Sequence, residues 1–388
     1  MSLKDKYAIV GVGYTPQGRV PDRTALSFHV EACANAIKDA GLRREDIDGL
    51  IVYRHFRPAP QEYEVTPYLL AQHLGLSPKV LSQDANCSRS QLLDAMGRLE
   101  AGLCHYVVIS YADNPVSGGL RFDDKRQTPC NDAVFGQFGA TVNAAMAARR
   151  AMHTHHTGPE TWREIAVGQR KWANLNPRAI MYSRAMTFED YYNSRMVVEP
   201  LRLYDCSQPN DGGRAYVVTS VDRAKDLRHL PAVIMGIGQH NVSCHVQQLN
   251  LESPTGAKIS GEIAFEMAGI TLDDIDACEI YDAYTYVTEY NLQDYGFFKP
   301  GEGKDWFSHG TIAPGGRLPV NTSGGLLSEA YFMGLTPLTE GAMQIMGRCG
   351  ERQLGPKTNT KEPEIILCCD NGGSGGIQTH SSTILRRL

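Results

Sequence analysis

The chain has 388 residues, 42% of them hydrophobic and 21% charged, which supplies a large core for about two to three domains or one duplicated unit. The net charge of −5 lacks the basic excess of nucleic-acid-binding proteins, and no apolar run approaches the ~18 residues that a membrane-spanning helix needs. Ten scattered cysteines without a CxxC pair, and an N-terminal stretch without the apolar region of a signal peptide, predict reduced thiols in the cytoplasm.

An internal duplication is the first pattern along the chain. AGLRREDIDGLIVY (residues 40–53) and AGITLDDIDACEIYD (268–282) each follow a helical stretch, and each place the acidic turn DID before an apolar strand. A repeat at this wide spacing indicates a duplicated domain, and alternating strands and helices predict an α/β fold. Ahead of the first copy, IVGVGYTPQG (9–18) has Gly11 and Gly13 but no third glycine of a dinucleotide fingerprint. Packing of a strand against a turn is therefore favoured over nucleotide binding.

One cysteine stands at the predicted start of a helix. In DANCSRSQLLDAMGRLEAG (84–102), a turn-rich polar stretch precedes Cys87 and an apolar face at helical spacing follows it. The positive end of a helix dipole favours the thiolate, which is the reactive form of cysteine in acyl transfer. Spacing alone favours a buried structural thiol over a nucleophile.

The regular pattern lapses between residues 114 and 200, in a stretch rich in Arg, Asn, Met and His. A long insertion in an α/β chain is typical of a lid over a binding site. Within it, the sequence HTHH contains His153, His155 and His156. No acidic or cysteine ligand accompanies them at motif spacing, so a solvated lid surface is favoured over a metal site, and no metal is expected.

Three motifs in the second half place polar groups beside predicted strand ends. EIYDAYTYVTEY (279–290) carries Tyr281 at a strand end, where its hydroxyl can donate a proton or hold an oxyanion, with aromatic packing as an equal alternative. NTSGGLLSEAY places Gly324 and Gly325 before Tyr331, which is predicted in the first turns of a helix. CCDNGGSGG predicts a strand and then a glycine-rich turn whose backbone N–H groups can form an anion-binding nest.

Taken together, these motifs resemble the thiolase superfamily over essentially the whole chain, and within it the sterol-carrier-protein-type, non-decarboxylating branch. The resemblance rests on IVGVGYTPQG, RREDIDGLIV, LGLSPKV, NDGGRAYVVTS, NTSGGLLSEA and the final glycine-rich turn. It implies two duplicated βαβαβαββ halves packed as a five-layer α-β-α-β-α sandwich with a loop-domain insertion. The implied N-terminal half is residues 1–113 with 201–225, the loop domain for the CoA substrate is 114–200, and the C-terminal half is 226–388.

The resemblance also implies catalytic roles for individual residues. Cys87 matches the acyl-accepting nucleophile and Cys369 matches the second, acid/base cysteine. Tyr281 and Tyr331 stand where the family commonly has Asn or His and a His, so that oxyanion stabilisation and proton donation would fall to two phenols. A neutral tyrosine is a poor base near pH 7, which leaves the activation of Cys87 to the helix dipole or to the substrate.

The resemblance further implies the surroundings of the reacting groups. Asn371 matches a glycine whose backbone N–H belongs to the oxyanion hole, and Asn tolerates the left-handed backbone expected of that turn. The glycines expected to line the substrate are Gly324, Gly325, Gly372 and Gly373. Arg89, two residues after Cys87, is a candidate for a substrate carboxylate, although a surface role is favoured.

The two tyrosines resemble a sub-branch that works with a separate small subunit of OB-fold and zinc-ribbon type. That sub-branch includes retro-aldolases, which use such tyrosines without the cysteine pair, and thiolases of branched aromatic β-ketoacyl-CoA. Because both cysteines are present, the expected function is thiolysis of a β-ketoacyl-CoA, with cleavage of 2-benzoylsuccinyl-CoA to benzoyl-CoA and succinyl-CoA as the nearest known reaction. Coenzyme A is then a substrate, and no tightly bound cofactor is expected.

Two alternatives remain open. The first is a retro-aldolase acting on a β-hydroxyacyl-CoA, with Tyr281 and Tyr331 as acid and base. The second is a non-catalytic scaffold that binds acyl-CoA or a partner subunit, suggested by the missing histidines. The resemblance also implies a homodimer joined by the small subunit into a heterotetramer, without a nucleic-acid or membrane partner.

Overall fold

A computed structural model describes residues 2–53, 64–84, 88–119, 134–137, 139–241, 256–372 and 379–388. The strands of this part of the chain are β1 (Tyr7–Tyr14), β2 (Gly49–Tyr53), β3 (Val80–Asp84), β4 (Tyr106–Asp113), β5 (Met196–Val198), β6 (Leu201–Arg202), β7 (Gly212–Ser220), β8 (Ala232–Asn241), β9 (Ala277–Glu279), β10 (Ile365–Gly372) and β11 (Thr379–Arg387).

The α-helices of the same described ranges connect these strands. They are α1 (Ala25–Asp39), α2 (Pro67–Leu74), α3 (Ser88–Glu100), α4 (Gly139–His155), α5 (Pro159–Ala173), α6 (Phe188–Asn193), α7 (Val221–Ala224), α8 (Ala257–Ala268), α9 (Thr285–Tyr295), α10 (Gly303–Phe307), α11 (Gly325–Ser328) and α12 (Leu335–Ile345). Helices α4 to α6 and strand β5 fall within the predicted insertion, and β6, which pairs with β5, begins one residue after its predicted end.

Nine strands form one sheet in the order β3-β2-β4-β7-β1-β8-β11-β10-β9. The order is nearly symmetric about the contact between β1 and β8, which pair antiparallel at Ala8 and Ile9. On each side, the outer pairs are parallel, as in β2 with β4 and β9 with β10, and the inner pairs are antiparallel. The predicted duplication is therefore present as two related sheets that meet edge to edge.

Helices cover both faces of each half and also separate the halves. Helix α3 contacts β2, β4 and β7 of the first half as well as β8 and β11 of the second, and α12 contacts β9 to β11 as well as β1 and β7. Helices α1 and α2 lie on the outer face of the first half, and α8 on that of the second. The predicted five-layer α-β-α-β-α arrangement is confirmed.

The DID repeat performs the same task in both halves. The first aspartate closes a 3₁₀ turn, because Asp46 Oδ2 and Asp274 Oδ2 each accept the N–H three residues earlier at 2.8 Å. The second aspartate caps the start of a neighbouring strand. Asp48 accepts two backbone N–H groups at the entry of β4 at 2.7 and 2.9 Å, and Asp276 accepts two at the entry of β10 at 2.8 and 3.0 Å.

Gly11 and Gly13 allow β1 to approach a helix rather than a turn. A Cβ atom at either position would meet a backbone carbonyl of α1 at less than van der Waals distance. Gly236 and Gly238 of β8 stand in the same relation to α8. The sequence pattern GVG of the first half therefore recurs as GIG in the second half. No helix in the described residues is long and apolar enough to cross a membrane.

Candidate active site

The predicted site residues gather where strands of the second half end. Tyr281 follows β9, Cys369, Asn371 and Gly372 close β10, and Gly324 and Gly325 open α11. Cys87 and Gly373 lie outside the described residues, and of Arg89 only the backbone is described, in the first turn of α3. The nucleophile and substrate roles expected of these three residues therefore remain predictions.

The structure brings Tyr281 and Tyr331 together although 50 positions separate them. Their hydroxyl oxygens lie 2.7 Å apart, and their rings meet at 69° with centroids 6.3 Å apart. Tyr281 is buried, and Tyr331 is the more exposed of the two. The sequence named both residues as catalytic candidates but gave no sign that their phenols form one hydrogen-bonded unit.

Three hydrogen bonds hold the backbone on either side of Tyr331. The Tyr331 N–H donates to Asn210 Oδ1 at 2.5 Å, which ties this residue to the NDGG turn of the first half. Thr336 Oγ1 donates to the carbonyl of Ala330 at 2.9 Å and accepts the N–H of Phe332 at 3.2 Å. The prediction of a helix through Tyr331 is wrong, because α11 ends at Ser328. The side chains of Asn210 and Thr336 form hydrogen bonds with the backbone groups that a continued helix would have used.

Tyr281 is fixed through the second cysteine and a pair of asparagines. Its N–H donates to the fully buried Cys369 Sγ at 3.4 Å. Asn291 Nδ2 donates to the Tyr281 carbonyl at 3.4 Å, and the amides of Asn291 and Asn371 exchange hydrogen bonds of 3.0 and 3.3 Å. Asn291 lies in α9 and belongs to no recognisable sequence motif, so its contact with Tyr281 could not be predicted from the sequence.

The backbone expected at Asn371 differs from the observed one. Asn371 lies inside β10, opposite His380 of β11, and its φ is not among the positive values of the described residues. The strand ladder thus extends three residues beyond Cys369, to Gly372, so the predicted left-handed turn at Asn371 is wrong. Its side-chain amide, rather than a turn, links it to the site.

Both phenols are held in the neutral form at physiological pH. Burial raises the pKa of Tyr331 to about 12, a hydrogen bond from Tyr281 opposes this rise, and the carboxylates of Asp370 and Asp113 add to it. Burial, together with the neighbouring Tyr331, also raises the pKa of Tyr281 well above its ordinary value. Near pH 7 both groups are therefore phenols, which can donate a proton and are poor bases.

The glycines of NTSGG surround a carboxyl group of the chain itself. Gly324 and Gly325 have φ values of +103° and +63°, which favour glycine. The N–H groups that follow donate to Asp282 at 2.8 Å from Leu326 and at 3.2 Å from Leu327. Burial raises the pKa of Asp282 to about 7. The backbone N–H groups after these two glycines thus bind Asp282, next to Tyr281, whereas the turn of CCDNGGSGG for which an anion nest was predicted lies largely outside the described residues.

Two further buried carboxyls attach the insertion to the segment after Tyr281. Asp205 accepts hydroxyl hydrogens from Tyr191 at 2.8 Å and from Thr285 at 2.7 Å, and burial raises its pKa to about 6. Glu289 accepts the indole N–H of Trp162 at 3.0 Å and the hydroxyl of Thr157, and burial raises its pKa to about 7. Neither was predicted, because each depends on contacts between distant segments.

Glu289→Gln is expected to stabilise the protein increasingly as the pH rises. The pKa of Glu289 is raised from 4.5 to about 7 on folding. Below pH 4.5 the carboxyl is protonated in both the folded and the unfolded wild type, so its charge costs the folded state nothing. The free energy of unfolding of the wild type then falls, relative to the Gln variant, as the pH rises through the folded pKa. The difference reaches about 3 kcal/mol at pH 8 and vanishes below pH 4.5. Urea unfolding at both pH values measures it, with the exposed Glu351→Gln as the matched control. A difference independent of pH would contradict the assignment.

The histidines of HTHH are not arranged as metal ligands. His153 and His155 lie at the end of α4, and His156 follows the helix with a left-handed φ of 53°. Among the described residues no group of histidine, cysteine or carboxylate side chains could hold a metal ion.

Comparison with known proteins places these features in context. Residues 238–387 match the family model for the thiolase C-terminal domain-like region. The chain is 35% identical over 374 residues to a steroid side-chain-cleaving aldolase of Thermomonospora curvata, covering 91% of this chain and 93% of that protein. It is 33% identical to the 17-hydroxy-3-oxo-4-pregnene-20-carboxyl-CoA lyase of Mycobacterium tuberculosis, covering 89% and 92%.

Two further matches bear on partners and on the expected reaction. A solved structure described as an Ltp2-ChsH2(DUF35) aldolase superposes with a TM-score of 0.86 at 30% identity, covering 100% of this chain and 99% of that one. The benzoylsuccinyl-CoA thiolase subunit BbsB of Thauera aromatica is 29% identical over 240 residues, covering 60% of both chains.

Proposed function

Because the chain belongs to the sterol-carrier-protein-type branch of the thiolase superfamily, we propose that it cleaves a β-hydroxyacyl-CoA by a retro-aldol reaction. The observation that carries the proposal is the hydrogen-bonded pair of neutral phenols, Tyr281 and Tyr331. The two relatives above 30% identity named here are an aldolase and a lyase. They favour this alternative over the thiolysis that both cysteines suggested.

The neutral tyrosine pair suits a reaction that begins and ends without net proton transfer to solvent. As the bond between Cα and Cβ breaks, its electron pair becomes the thioester enolate and Cβ becomes a ketone. In the same step Tyr331 gives its own proton to the enolate carbon, and its oxygen takes the proton of the substrate β-hydroxyl. This concerted exchange forms neither a phenolate nor an oxonium ion, yields the shortened acyl-CoA and restores the pair. Tyr281 donates a hydrogen bond throughout, and a placed donor of this kind contributes about 10²- to 10³-fold in rate.

The position of Cys369 also supports the retro-aldol proposal. Its side chain is fully buried, and its sulfur accepts the backbone N–H of Tyr281. In the proposed reaction this thiol positions Tyr281 and needs no thiolate. Cys87 has no step in the retro-aldol scheme, whereas thiolysis requires it as the nucleophile.

Coenzyme A is proposed to lie along the lid helix α4. This helix begins beside the site. Tyr284, three residues after Tyr281, donates its hydroxyl hydrogen to Thr141 Oγ1 in the first turn of α4 at 3.3 Å. An open groove of about 490 Å³ follows the helix, lined by Val142, Ala145, Met146, Arg149, Arg150, His153, Val198 and Glu199. Its apolar residues on the helix lie nearer the site, and Arg149 and Arg150 lie about 11 Å beyond Val142 along the helix axis. A pantetheine arm and its phosphates have this order of polarity.

Arg150→Ala is expected to raise KM for an acyl-CoA about fivefold without changing kcat. An exposed guanidinium on a phosphate is worth about 1 kcal/mol, and the loss is uniform in ground and transition states. Steady-state kinetics with the CoA thioester measures the effect. The matching pantetheine thioester, which lacks the nucleotide phosphates, serves as the control substrate, and Lys357→Ala as the control variant. An equal KM rise for both thioesters would contradict the groove assignment.

The proposed assembly is a homodimer of this chain with a small OB-fold, zinc-ribbon subunit. The solved aldolase structure that superposes with this chain at a TM-score of 0.86 carries a DUF35 component by its description. This supports a second, smaller subunit here. Co-expression with a small OB-fold protein encoded nearby, followed by light scattering, tests this composition.

The decisive experiment is product analysis with two substrate panels. The purified assembly is incubated with β-hydroxyacyl-CoA thioesters, and separately with β-ketoacyl-CoA thioesters and free CoA, including 2-benzoylsuccinyl-CoA. Ketone and shortened acyl-CoA from the first panel alone support the proposal. Turnover only in the second panel, with an acyl adduct on Cys87, would establish thiolysis instead. Absence of turnover in both panels would favour the scaffold alternative.

A further inference from the structure

Met333 stands next to the tyrosine pair in an unusual backbone conformation. Its φ is +52°, in the left-handed region that a side chain as large as methionine rarely adopts. Such a conformation costs about 1 kcal/mol or more and persists only where the surroundings impose it. The bonds of Thr336 and Asn210 described above hold the preceding residues, and the chain enters α12 two residues later. The strain is therefore confined to the residue that follows the catalytic segment.

The left-handed backbone directs the methionine sulfur at the catalytic phenol. Met333 Sδ lies 3.0 Å from Tyr331 Oη. The same Tyr331 oxygen lies 2.7 Å from Tyr281 Oη. Met333 is buried, as are Met343 and Met346 in the same apolar cluster. Neither of those two residues has a positive φ.

Counting hydrogens fixes the direction of these bonds. Each phenol has one hydrogen, and a thioether can only accept. If Tyr331 donated to Tyr281, the buried Tyr281 hydroxyl would keep a hydrogen without an acceptor among the described residues. If Tyr281 donates to Tyr331 and Tyr331 donates to the sulfur, both hydrogens are used. Buried donors are satisfied in native structures, so the second arrangement is favoured.

We propose that Met333 is a positioning residue that holds the reactive proton of Tyr331 on a weak acceptor. A thioether accepts a hydrogen bond more weakly than oxygen does, so the Tyr331 proton can turn to a substrate atom at little cost. The Tyr281 proton meanwhile stays on the Tyr331 oxygen. The catalytic consequence rests on the proposed retro-aldol function, whereas the hydrogen-bond direction does not.

The test replaces the sulfur and the side chain separately. Met333→Leu keeps the volume and the left-handed strain but removes the acceptor. Met333→Gly keeps the backbone conformation without strain and removes the side chain. Met343→Leu makes the same chemical change elsewhere in the cluster. Each variant is prepared with 3,5-difluorotyrosine at position 331, because the fluorines make this phenol acidic enough to titrate below the pH at which proteins unfold.

Fluorine NMR then reports the ionisation of residue 331 directly and without turnover. The groups facing it are Tyr281, Tyr284, Asp370, Tyr111 and Asp113, and none is altered. Loss of the acceptor destabilises the neutral phenol, so Met333→Leu and Met333→Gly are expected to lower the midpoint by about 0.5 to 1 pH unit. Met343→Leu is expected to leave it unchanged. An unchanged midpoint in Met333→Leu would overturn the proposal.

Kinetics separates this proposal from the proposed function. If the wild type cleaves a β-hydroxyacyl-CoA, Met333→Leu is expected to lower kcat about fivefold with KM unchanged, because proton transfer and not binding is affected. Unaltered kcat beside a shifted midpoint would overturn the catalytic consequence. If the wild type cleaves no such substrate while the midpoint shifts, the function fails and the hydrogen-bond direction stands.

Discussion

Tyr331→Phe is expected to lower kcat for β-hydroxyacyl-CoA cleavage by about 10²- to 10⁴-fold, the contribution of a positioned acid–base group. Phe keeps the ring and its packing but has no hydroxyl to exchange protons with the substrate. Tyr281→Phe is expected to cost less, about 10²- to 10³-fold, because Tyr281 donates a hydrogen bond and its proton is not transferred. Chromatography of the ketone and the shortened acyl-CoA measures both losses.

The matched comparison is with the cysteine that thiolysis would require. Cys87→Ala is expected to retain retro-aldol kcat within about twofold, since no step passes through a thiolate in that reaction. Tyr68→Phe, at a residue that is 75% exposed, controls for the loss of a phenol far from the site. Loss of activity in Cys87→Ala, with full activity in Tyr331→Phe, would return the assignment to a thiolase mechanism.

The sequence predicted the architecture because its evidence is local and repeated. Each DID segment contains both the residues that close its 3₁₀ turn and the aspartate that caps the next strand of the ladder, so a repeat of letters implies a repeat of structure. Gly324 and Gly325 likewise predict a turn, because the ability to adopt a positive φ is a property of glycine itself. These signals need no knowledge of distant contacts.

The site depended on contacts that the sequence does not display. Asn371 lies next to glycines, which predicts a turn, but pairing with β11 overrides that local preference. Tyr331 follows a stretch of helix formers, yet Asn210 from the other half takes its N–H. Asn291 and Met333 act only through partners brought together by packing. In each case tertiary interactions outweigh the local propensity.

The aldolase and lyase relatives favour the retro-aldol alternative over the thiolysis that was expected from the two cysteines. Both cysteines matched the family, and their presence was given more weight than the substitution of its histidines by tyrosines. The structure shows that Tyr281 and Tyr331 form a hydrogen-bonded unit, and this unit, together with the aldolase and lyase relatives, supports the retro-aldol proposal. A retained residue is weaker evidence of mechanism than a new and complete arrangement of groups.

A buried ion pair connects this arrangement to the first half of the protein. Arg214 of β7 binds the carboxylate of Glu329, two residues before Tyr331, and neither side chain is more than 1% exposed. The guanidinium also donates to Thr339 Oγ1 at 3.0 Å, and its carbon lies 5.1 Å from the ring centroid of Phe332. The segment that carries Tyr331, the proposed catalytic phenol, is thus held by a charge from the opposite half.

Arg214→Met is expected to lower the free energy of unfolding by about 3 to 5 kcal/mol. Methionine fills much of the space, but it leaves the Glu329 carboxylate buried without its counter-charge, and this uncompensated charge dominates the loss. Urea unfolding monitored by circular dichroism measures the change. Because Glu329 precedes Tyr331 so closely, kcat is expected to fall in the same variant even where it remains folded.

Two further variants separate the buried charge from the lost contacts. Arg214→Met combined with Glu329→Leu removes both charges, and is expected to recover most of the stability, since a buried ion pair is worth little more than apolar groups of similar size. Lys225→Met breaks an exposed pair with Asp222 and is expected to change stability by less than about 0.5 kcal/mol. A double variant no more stable than Arg214→Met would show that packing of the arginine on its aromatic neighbours, and not its charge, joins the two halves beside Tyr331.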